Sequence, residues 1–106
     1  MTTSHTNNDT GFTGSRVLDP KGQPIGKVSD VVFDGPTAAP TWMVVKPGRF
    51  QAEHFVPVRG SYRTESDRVV VPFDRQQVKA APKATGDHVV TSETRALLTQ
   101  HYHLVD

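Results

Sequence analysis

The chain has 106 residues, the size of one small domain, and its 12 basic and 11 acidic residues give a formal net charge of +1. The basic residues are scattered singly along the sequence, so we expect no general attraction to nucleic acid or to an anionic membrane surface. The lack of cysteine excludes disulfides and thiolate chemistry, and no stretch approaches the roughly 20 apolar residues of a membrane span. These features predict a cytoplasmic protein with neither a membrane nor a nucleic-acid partner.

The sequence divides into three parts by composition. Residues 1–11 are rich in Thr and Asn and nearly devoid of apolar side chains, which predicts a disordered N-terminal tail. Residues 12–82 have the composition of a folded domain. Residues 83–106 are predicted to contain a linker and a short C-terminal helix, and the composition of residues 82–86 is typical of the linker.

The domain shows short β-branched runs separated by Gly and Pro, as in an all-β protein. The Asp19-Pro20-Lys21-Gly22 segment has the residue order of a β-turn, with Pro second and Gly fourth. Because every connection is short, the pattern favours an antiparallel meander over a parallel sheet with helical crossovers. The predicted strands are residues 16–18, 24–34, 41–46, 55–58, 62–64 and 68–73.

The second strand does not keep a period of two, since Ile25 and Val28 have opposite parity. A β-bulge near Ser29 and Asp30 would return both side chains to one face. Asp30 stands within this apolar run, and we interpret it as a bulge residue that accepts a hydrogen bond from nearby backbone rather than as a catalytic acid. Helix is the competing interpretation, but Gly26 and the valines disfavour it.

The core is predicted from the apolar positions of these strands. Its expected members are Ile25, Val28, Val31, Phe33, Trp42, Val44, Val56, Val58, Val69 and Val71.

Two short helices are predicted after Phe73. Asp74 can cap one helical turn over residues 74–79, and Ser92 can cap a helix over residues 93–102. The apolar side of the second helix is predicted to be Ala96, Leu97 and Tyr102, with Leu98 beside them. A helix of this length does not persist alone in water, so it must pack either on its own barrel or on a partner.

In this order, the segments PIGKVSDVVFD, PTWMVVKPG, HFVPV, VVVPFD and VKAAP resemble the PRC-barrel domain, over roughly residues 14–82. The chain is most similar to stand-alone bacterial members of that family. The resemblance implies a small antiparallel barrel of about six strands that binds other proteins. It carries over no functional residue.

No arrangement of side chains predicts chemistry. The five histidines match no metal-ligand spacing and are interpreted as surface residues. No serine lies in a nucleophile motif, and the Lys46-Pro47-Gly48-Arg49 segment is too short for a phosphate loop. We therefore predict no catalytic residue, no metal site and no cofactor.

Partner binding is the remaining expectation. Phe50 lies in a polar loop, residues 47–54, where it can either cover one end of the barrel as a lid, the favoured interpretation, or serve as a contact anchor. Pro57 and Pro72 cannot donate to a strand ladder, so their strands are expected to leave an open sheet edge. We predict a homodimer formed through that edge or through the C-terminal helix. The candidate partner-binding residues are Arg49, Phe50, Leu97, Leu98 and Tyr102.

The sequence thus predicts a non-enzymatic protein-interaction module that acts by self-association or by docking on a protein partner. The alternative is a small-ligand or RNA-binding barrel. A basic groove in the structure would favour that alternative.

Overall fold

The computed structural model describes residues 12–33, 41–64, 67–84 and 86–104, so the predicted tail over residues 1–11 lies outside the described residues. All six predicted strands and both helices are present, with small differences at their ends. Strand β6 ends three residues before its predicted end, because Pro72 has no N–H with which to continue the ladder. The elements are β1 Arg16–Leu18, β2 Pro24–Val32, β3 Trp42–Lys46, β4 His54–Pro57, β5 Tyr62–Arg63, β6 Arg68–Val70, α1 Arg75–Lys79 and α2 Ser92–His101.

The strands form one six-stranded sheet in the order β4-β3-β2-β1-β6-β5. Strands β1 to β4 make the predicted antiparallel meander, and β5 with β6 makes an antiparallel hairpin. The two parts are joined by a parallel pair, in which Arg16 lies opposite Arg68 and Leu18 opposite Val70. The expectation of a wholly antiparallel barrel of about six strands is therefore met only in part. The sheet is mixed, and no pairing of the described residues joins β4 to β5.

The turn between β1 and β2 forms as predicted. The Gly22 amide donates to the Asp19 carbonyl at 2.9 Å, and the Asp19 carboxylate accepts from the amides of Lys21 and Gln23 at 2.8 Å each. Gly22 has a φ of 83°, in the left-handed region where a residue with a Cβ is strained. This turn aligns β1 with the first half of β2.

The predicted bulge is also present, because the register of β2 against β3 shifts between Val28 and Asp30. The Asp30 carboxylate accepts from the Val31 amide at 2.8 Å, which is the local backbone bond expected for it. Val28 and Val31 lie on either side of this bulge and differ in parity, and both are buried, so the bulge brings both to the core. Ile25, also buried, precedes the bulge and lies at a second irregularity, in the pairing of β2 with β1.

The core lies around β3, whose residues Trp42 to Val45 are all buried although their side chains alternate between the two faces of the sheet. Eight of the ten predicted core residues are buried. The prediction was wrong for Phe33, which is 38% exposed, because it follows the last paired residue of β2. It was also wrong for Val58, which follows the end of β4 and is half-buried.

The C-terminal helix packs on its own chain. The Tyr102 hydroxyl donates to the Phe55 carbonyl of β4 at 2.7 Å, and its ring contacts Phe73 with 4.6 Å between ring centroids. The cap of α2 is Thr91, one residue before the predicted Ser92, because its side chain accepts from the Thr94 amide. Its buried residue is Leu98, whereas Ala96 and Leu97 are exposed, so the predicted apolar side was partly wrong.

The edge strand β4 is partly covered by the segment that precedes α2. The Ala84 amide donates to the Glu53 carbonyl at 2.8 Å. Lys83 and His54 form an isolated antiparallel β-bridge. His54 is buried, and its Nδ1 lies 2.9 Å from the Ala81 carbonyl, to which it donates. Pro57 thus lies on an edge strand, as predicted, whereas β6, the strand before Pro72, is paired on both sides, with β1 and β5. No helix in the described ranges is long and apolar enough to cross a membrane.

Candidate functional site

A row of cationic side chains crosses one face of the sheet. Arg16 of β1 lies opposite Lys27 of β2, and Lys27 lies opposite Lys46 of β3; on the other side of β1, Arg16 lies opposite Arg68 of β6. Residues that are paired across neighbouring strands project to the same face, and all four of these are exposed. With strands about 4.8 Å apart, the row is about 14 Å long. We call these four residues the cationic row.

A pocket of about 510 Å³ opens over three members of this row. Arg16, Lys27 and Lys46 line it together with Arg49, from the loop after β3, and Arg75, the first residue of α1. Its other lining residues are apolar or glycine: Pro24, Ile25, Gly26, Pro47 and Gly48. We call it the cationic pocket. No carboxylate lines it, and within the described part of the chain none of its five cations forms an ion pair.

Gly26 is required for the shape of this pocket. A Cβ on Gly26 would overlap the Lys46 carbonyl oxygen and come within 2.8 Å of the Pro47 Cα. These are backbone atoms, which cannot rotate away as a side chain can. The absence of a side chain at Gly26 therefore lets the end of β3 and the loop after it pass close to β2.

The pocket corrects the sequence-based view that the basic residues are scattered singly. Its members are far apart along the chain and are brought together by strand register, which a list of sequence positions does not contain. Part of the signal was present, because the predicted hairpin around Asp19–Gly22 already places Arg16 near Lys27. The structure also meets the condition that was set for the small-ligand or RNA-binding alternative, namely a basic concave surface.

The loop beside the pocket holds the most exposed aromatic side chain of the described residues. Phe50 is 94% exposed, so the favoured prediction that it covers the barrel as a lid is wrong. The loop turns tightly at this point, with the Gln51 amide donating to the Gly48 carbonyl at 3.2 Å. Its neighbour Arg49 lines the cationic pocket, while the Phe50 side chain is exposed to solvent.

The five candidate partner-binding residues are not brought together as one surface. Leu98 and Tyr102 are buried in the chain's own core, so they are not available on the surface of this fold. Arg49, Phe50 and Leu97 are exposed, with Leu97 on α2 rather than on the pocket loop. Partner binding through these three remains a prediction.

A second cluster of polar side chains was missed by the sequence analysis. His88 lies between two carboxylates, with Nδ1 2.8 Å from Asp30 Oδ2 and Nε2 2.9 Å from Glu53 Oε1. Glu53 accepts in turn from the Ser29 hydroxyl at 2.6 Å. We call this cluster the His88 clasp, because it ties the segment before α2 to the bulge of β2 and to the start of β4.

The protonation state of the clasp follows from its hydrogen bonds. Because an ionised carboxylate only accepts, His88 can donate to both Asp30 and Glu53 at once only in its protonated form, with a proton on each ring nitrogen. The bonds to Asp30 and then to Glu53 raise the pKa of His88 above its usual value. The bonds from Ser29 and His88 lower the pKa of Glu53, and the charge of Lys46 lowers it further.

This arrangement holds structure together and is unsuited to nucleophilic catalysis. Ser29 bonds to Glu53 and not to His88, and neither His88 nitrogen is free to take a proton. The interpretation of the histidines as surface residues was wrong for His54, which is buried and bonds to the Ala81 carbonyl. His101 is half-buried, and its Nε2 donates to the Gln77 carbonyl. Among the described residues no group of three or more ligating side chains is arranged to hold a metal ion.

The comparison with known families agrees with the β-rich fold. The family model of the PRC-barrel domain matches residues 7–78, which is more than half of the chain. None of the curated proteins compared with the chain is significantly similar to it. The match confirms the resemblance seen in the sequence, and the chain belongs to the PRC-barrel domain family.

Proposed function

We propose that this chain is a non-enzymatic protein-interaction module that docks on a protein partner or on a second copy of itself through the loop that carries Arg49 and Phe50. The observation that carries the proposal is the 94% exposure of Phe50. An aromatic side chain exposed to this degree costs free energy in water and gains it when a partner covers the ring.

The composition of the loop supports this role. Arginine and aromatic side chains are the residues most enriched among those that dominate binding energies at protein interfaces. Phe50 makes no aromatic pair in the described structure, and the tight turn at Gly48 presents it on a short, constrained loop. A constrained anchor loses little conformational entropy when it binds, which favours affinity.

The test compares two exposed aromatic residues. Phe50→Ser removes the proposed anchor, and Tyr62→Ser is the matched control, because Tyr62 is 60% exposed on β5 at the other end of the strand order. Each variant and the wild type are sedimented at tens of micromolar. Each is also cross-linked in the lysate of the native host, and the captured proteins are quantified by mass spectrometry.

We expect Phe50→Ser to lose a dimer or a specific captured protein that Tyr62→Ser retains, with unfolding midpoints that match the wild type. The proposal is wrong if all three proteins sediment as monomers and capture the same proteins in the same amounts. It is also wrong if Tyr62→Ser has the larger effect, because the contact would then lie at β5.

A further inference from the structure

We propose that the cationic pocket is a binding site for an organic phosphate that carries at least two linked phosphoryl groups, such as a nucleoside diphosphate. The proposal goes beyond protein docking, since it concerns the sheet face and its cavity rather than the exposed ring of Phe50. Its basis is the juxtaposition of five cations over an apolar cavity floor.

The first argument is the unfavourable placement of the cations. Like charges directly opposite one another on neighbouring strands destabilise a sheet. Here Arg16, Lys27 and Lys46 form two consecutive like-charge cross-strand pairs. No acidic residue lines the pocket, and Glu53 acts on Lys46 from outside it. A fold that only required stability would gain from a Glu or Gln at the central position. The arrangement is favourable only when an anion occupies the pocket.

The second argument is the charge density that the anion must have. Five cations surround a cavity of about 510 Å³, so a ligand must bring several negative charges into a small volume. A phosphoryl group carries about 1.5 to 2 negative charges and three strong acceptor oxygens, whereas a carboxylate carries one charge. Arg16, Arg49 and Arg75 offer planar forks that match phosphoryl oxygens in pairs, and Lys27 and Lys46 supply point charges.

The third argument is the shape and polarity of the floor. Pro24, Ile25 and Pro47 give the pocket an apolar part beside its cations. Its volume lies within the range of about 300–1000 Å³ that is usual for small-molecule sites. An inorganic anion would leave this apolar part in contact with water, while an organic group attached to the phosphates would cover it.

The distribution of charge favours a compact ligand over a nucleic acid or a long acidic peptide. Five of the 12 basic residues of the chain line this pocket, so the rest of the chain carries 7 basic and 11 acidic residues. A long polyanion that extended beyond the pocket would meet this net negative remainder. A small ligand that stays within the pocket experiences only its five cations.

The experiment measures binding of ADP, AMP and inorganic pyrophosphate to the full chain by titration calorimetry at low salt. Lys27→Gln removes the central cation, and Arg16→Gln removes its neighbour on a different strand. Lys21→Gln is the matched control, because it removes the same charge from the exposed β1–β2 turn outside the pocket.

We expect ADP to bind more tightly than AMP. Its dissociation constant should rise about tenfold in Lys27→Gln and in Arg16→Gln, the cost of losing one charged hydrogen-bonding partner, and should change less than about twofold in Lys21→Gln. Pyrophosphate is expected to compete with ADP at the same site. Weaker binding of pyrophosphate than of ADP supports the role of the apolar floor, and equal binding contradicts that role while leaving the phosphoryl site in place.

The proposal is overturned if neither ADP nor pyrophosphate binds up to millimolar concentration, or if the control weakens binding as much as Lys27→Gln. It is also overturned if a single-stranded RNA oligonucleotide or a Glu-rich peptide binds through Lys27 while ADP does not. Phe50→Ser separates this proposal from protein docking, because it is expected to leave the affinity for ADP unchanged.

Discussion

The edge strand β4 and the cationic row belong to the same sheet, but polar groups are paired along β4 and like charges lie side by side in the row. Along β4, the C-terminal segment satisfies the polar groups it covers: Tyr102 donates to the Phe55 carbonyl, and His54 donates to the Ala81 carbonyl. Across β1, β2 and β3, by contrast, Arg16, Lys27 and Lys46 lie opposite one another, and among the described residues none of them forms an ion pair; the opposite charge that acts on Lys46 is Glu53. We infer from this difference that the contacts of the C-terminal helix with β4 contribute most to the free energy of unfolding. Repulsion within the cationic row lowers that free energy, and binding of an anion would offset the repulsion.

The largest expected effect comes from removing the packing at β4. Phe55 is 1% exposed and belongs to the hydrophobic core, so Phe55→Ala should lower the free energy of unfolding by about 3–5 kcal/mol. Urea unfolding measures this loss. Phe33→Ala is the matched control, and its loss should be clearly smaller because part of the Phe33 ring already contacts water. Equal losses would show that Phe33 belongs to the core after all.

The second effect isolates one hydrogen bond in the same region. Tyr102→Phe keeps the ring against Phe73 but leaves the Phe55 carbonyl without the hydroxyl donor, which should cost about 1–3 kcal/mol. Burial raises the pKa of Tyr102 far above its usual range, so the hydroxyl remains a donor across the accessible pH range. Tyr62→Phe, at an exposed ring, should leave the thermal midpoint unchanged; an equal drop in both variants would contradict the assigned role.

The third effect depends on pH and concerns the His88 clasp. In the folded protein the pKa of His88 is raised above its usual value of 6.5. Its contribution to the free energy of unfolding is therefore complete below pH 6.5 and is lost as the pH rises through the folded pKa. The pKa of Glu53 is lowered below 4.5, so its contribution is complete above that pH and is lost as pH falls. The clasp should therefore stabilise the fold most between pH 4.5 and 6.5.

His88→Asn tests this window, since His88 has a φ of 55° and Asn accepts the left-handed region better than most residues. The free energy of unfolding should fall by no more than about 1 kcal/mol, because the Asp30 side chain is 49% exposed and water screens the pair. The difference between wild type and variant, followed by urea unfolding from pH 4 to 9, should shrink above pH 6.5. A difference that stays constant with pH would show that the charge of the His88 imidazole does not contribute to stability.

The smallest effect has the opposite sign and belongs to the cationic row. Without ligand, Lys27→Gln relieves repulsion from Arg16 and Lys46 and should raise the free energy of unfolding by about 0.2–1 kcal/mol. Lys21→Gln should change it by less. Thermal melts at low salt measure both, and high salt should reduce the gain because it screens the repulsion. A loss of stability in Lys27→Gln would show that the row is not under electrostatic strain.

The sequence was informative where structure depends on neighbouring residues. Runs of valine bounded by Gly and Pro located the strands, and Asp74 was identified as the cap of α1. The broken period of two in the second strand indicated that a bulge was needed near Ser29 and Asp30, where the register does shift. The helix cap was misplaced by one residue because Thr91 and Ser92 are both good caps, and only the helix geometry decides between them.

The sequence was uninformative where distant segments meet. The cationic pocket depends on the register of three strands, and the His88 clasp joins residues from the bulge, the loop before β4 and the segment before α2. Beyond the β1–β2 hairpin, which places Arg16 near Lys27, local patterns carry no information on these alignments. The sequence therefore did not predict that Lys46 lies beside Lys27 or that two carboxylates flank His88. Phe50 was wrongly predicted to be a lid because its position depends on the path of the whole loop.

The parallel contact between β1 and β6 has a consequence for how the chain reaches this fold. The meander from β1 to β4 can form by successive hairpins, each closing a short loop, but the pairing of Arg16 with Arg68 requires that the whole meander be enclosed in one long loop. We expect the β5–β6 hairpin to join the sheet late in folding and to detach first on unfolding. In native-state hydrogen exchange, the amides of β6 should then show a lower free energy of opening than the amides of β2 and β3.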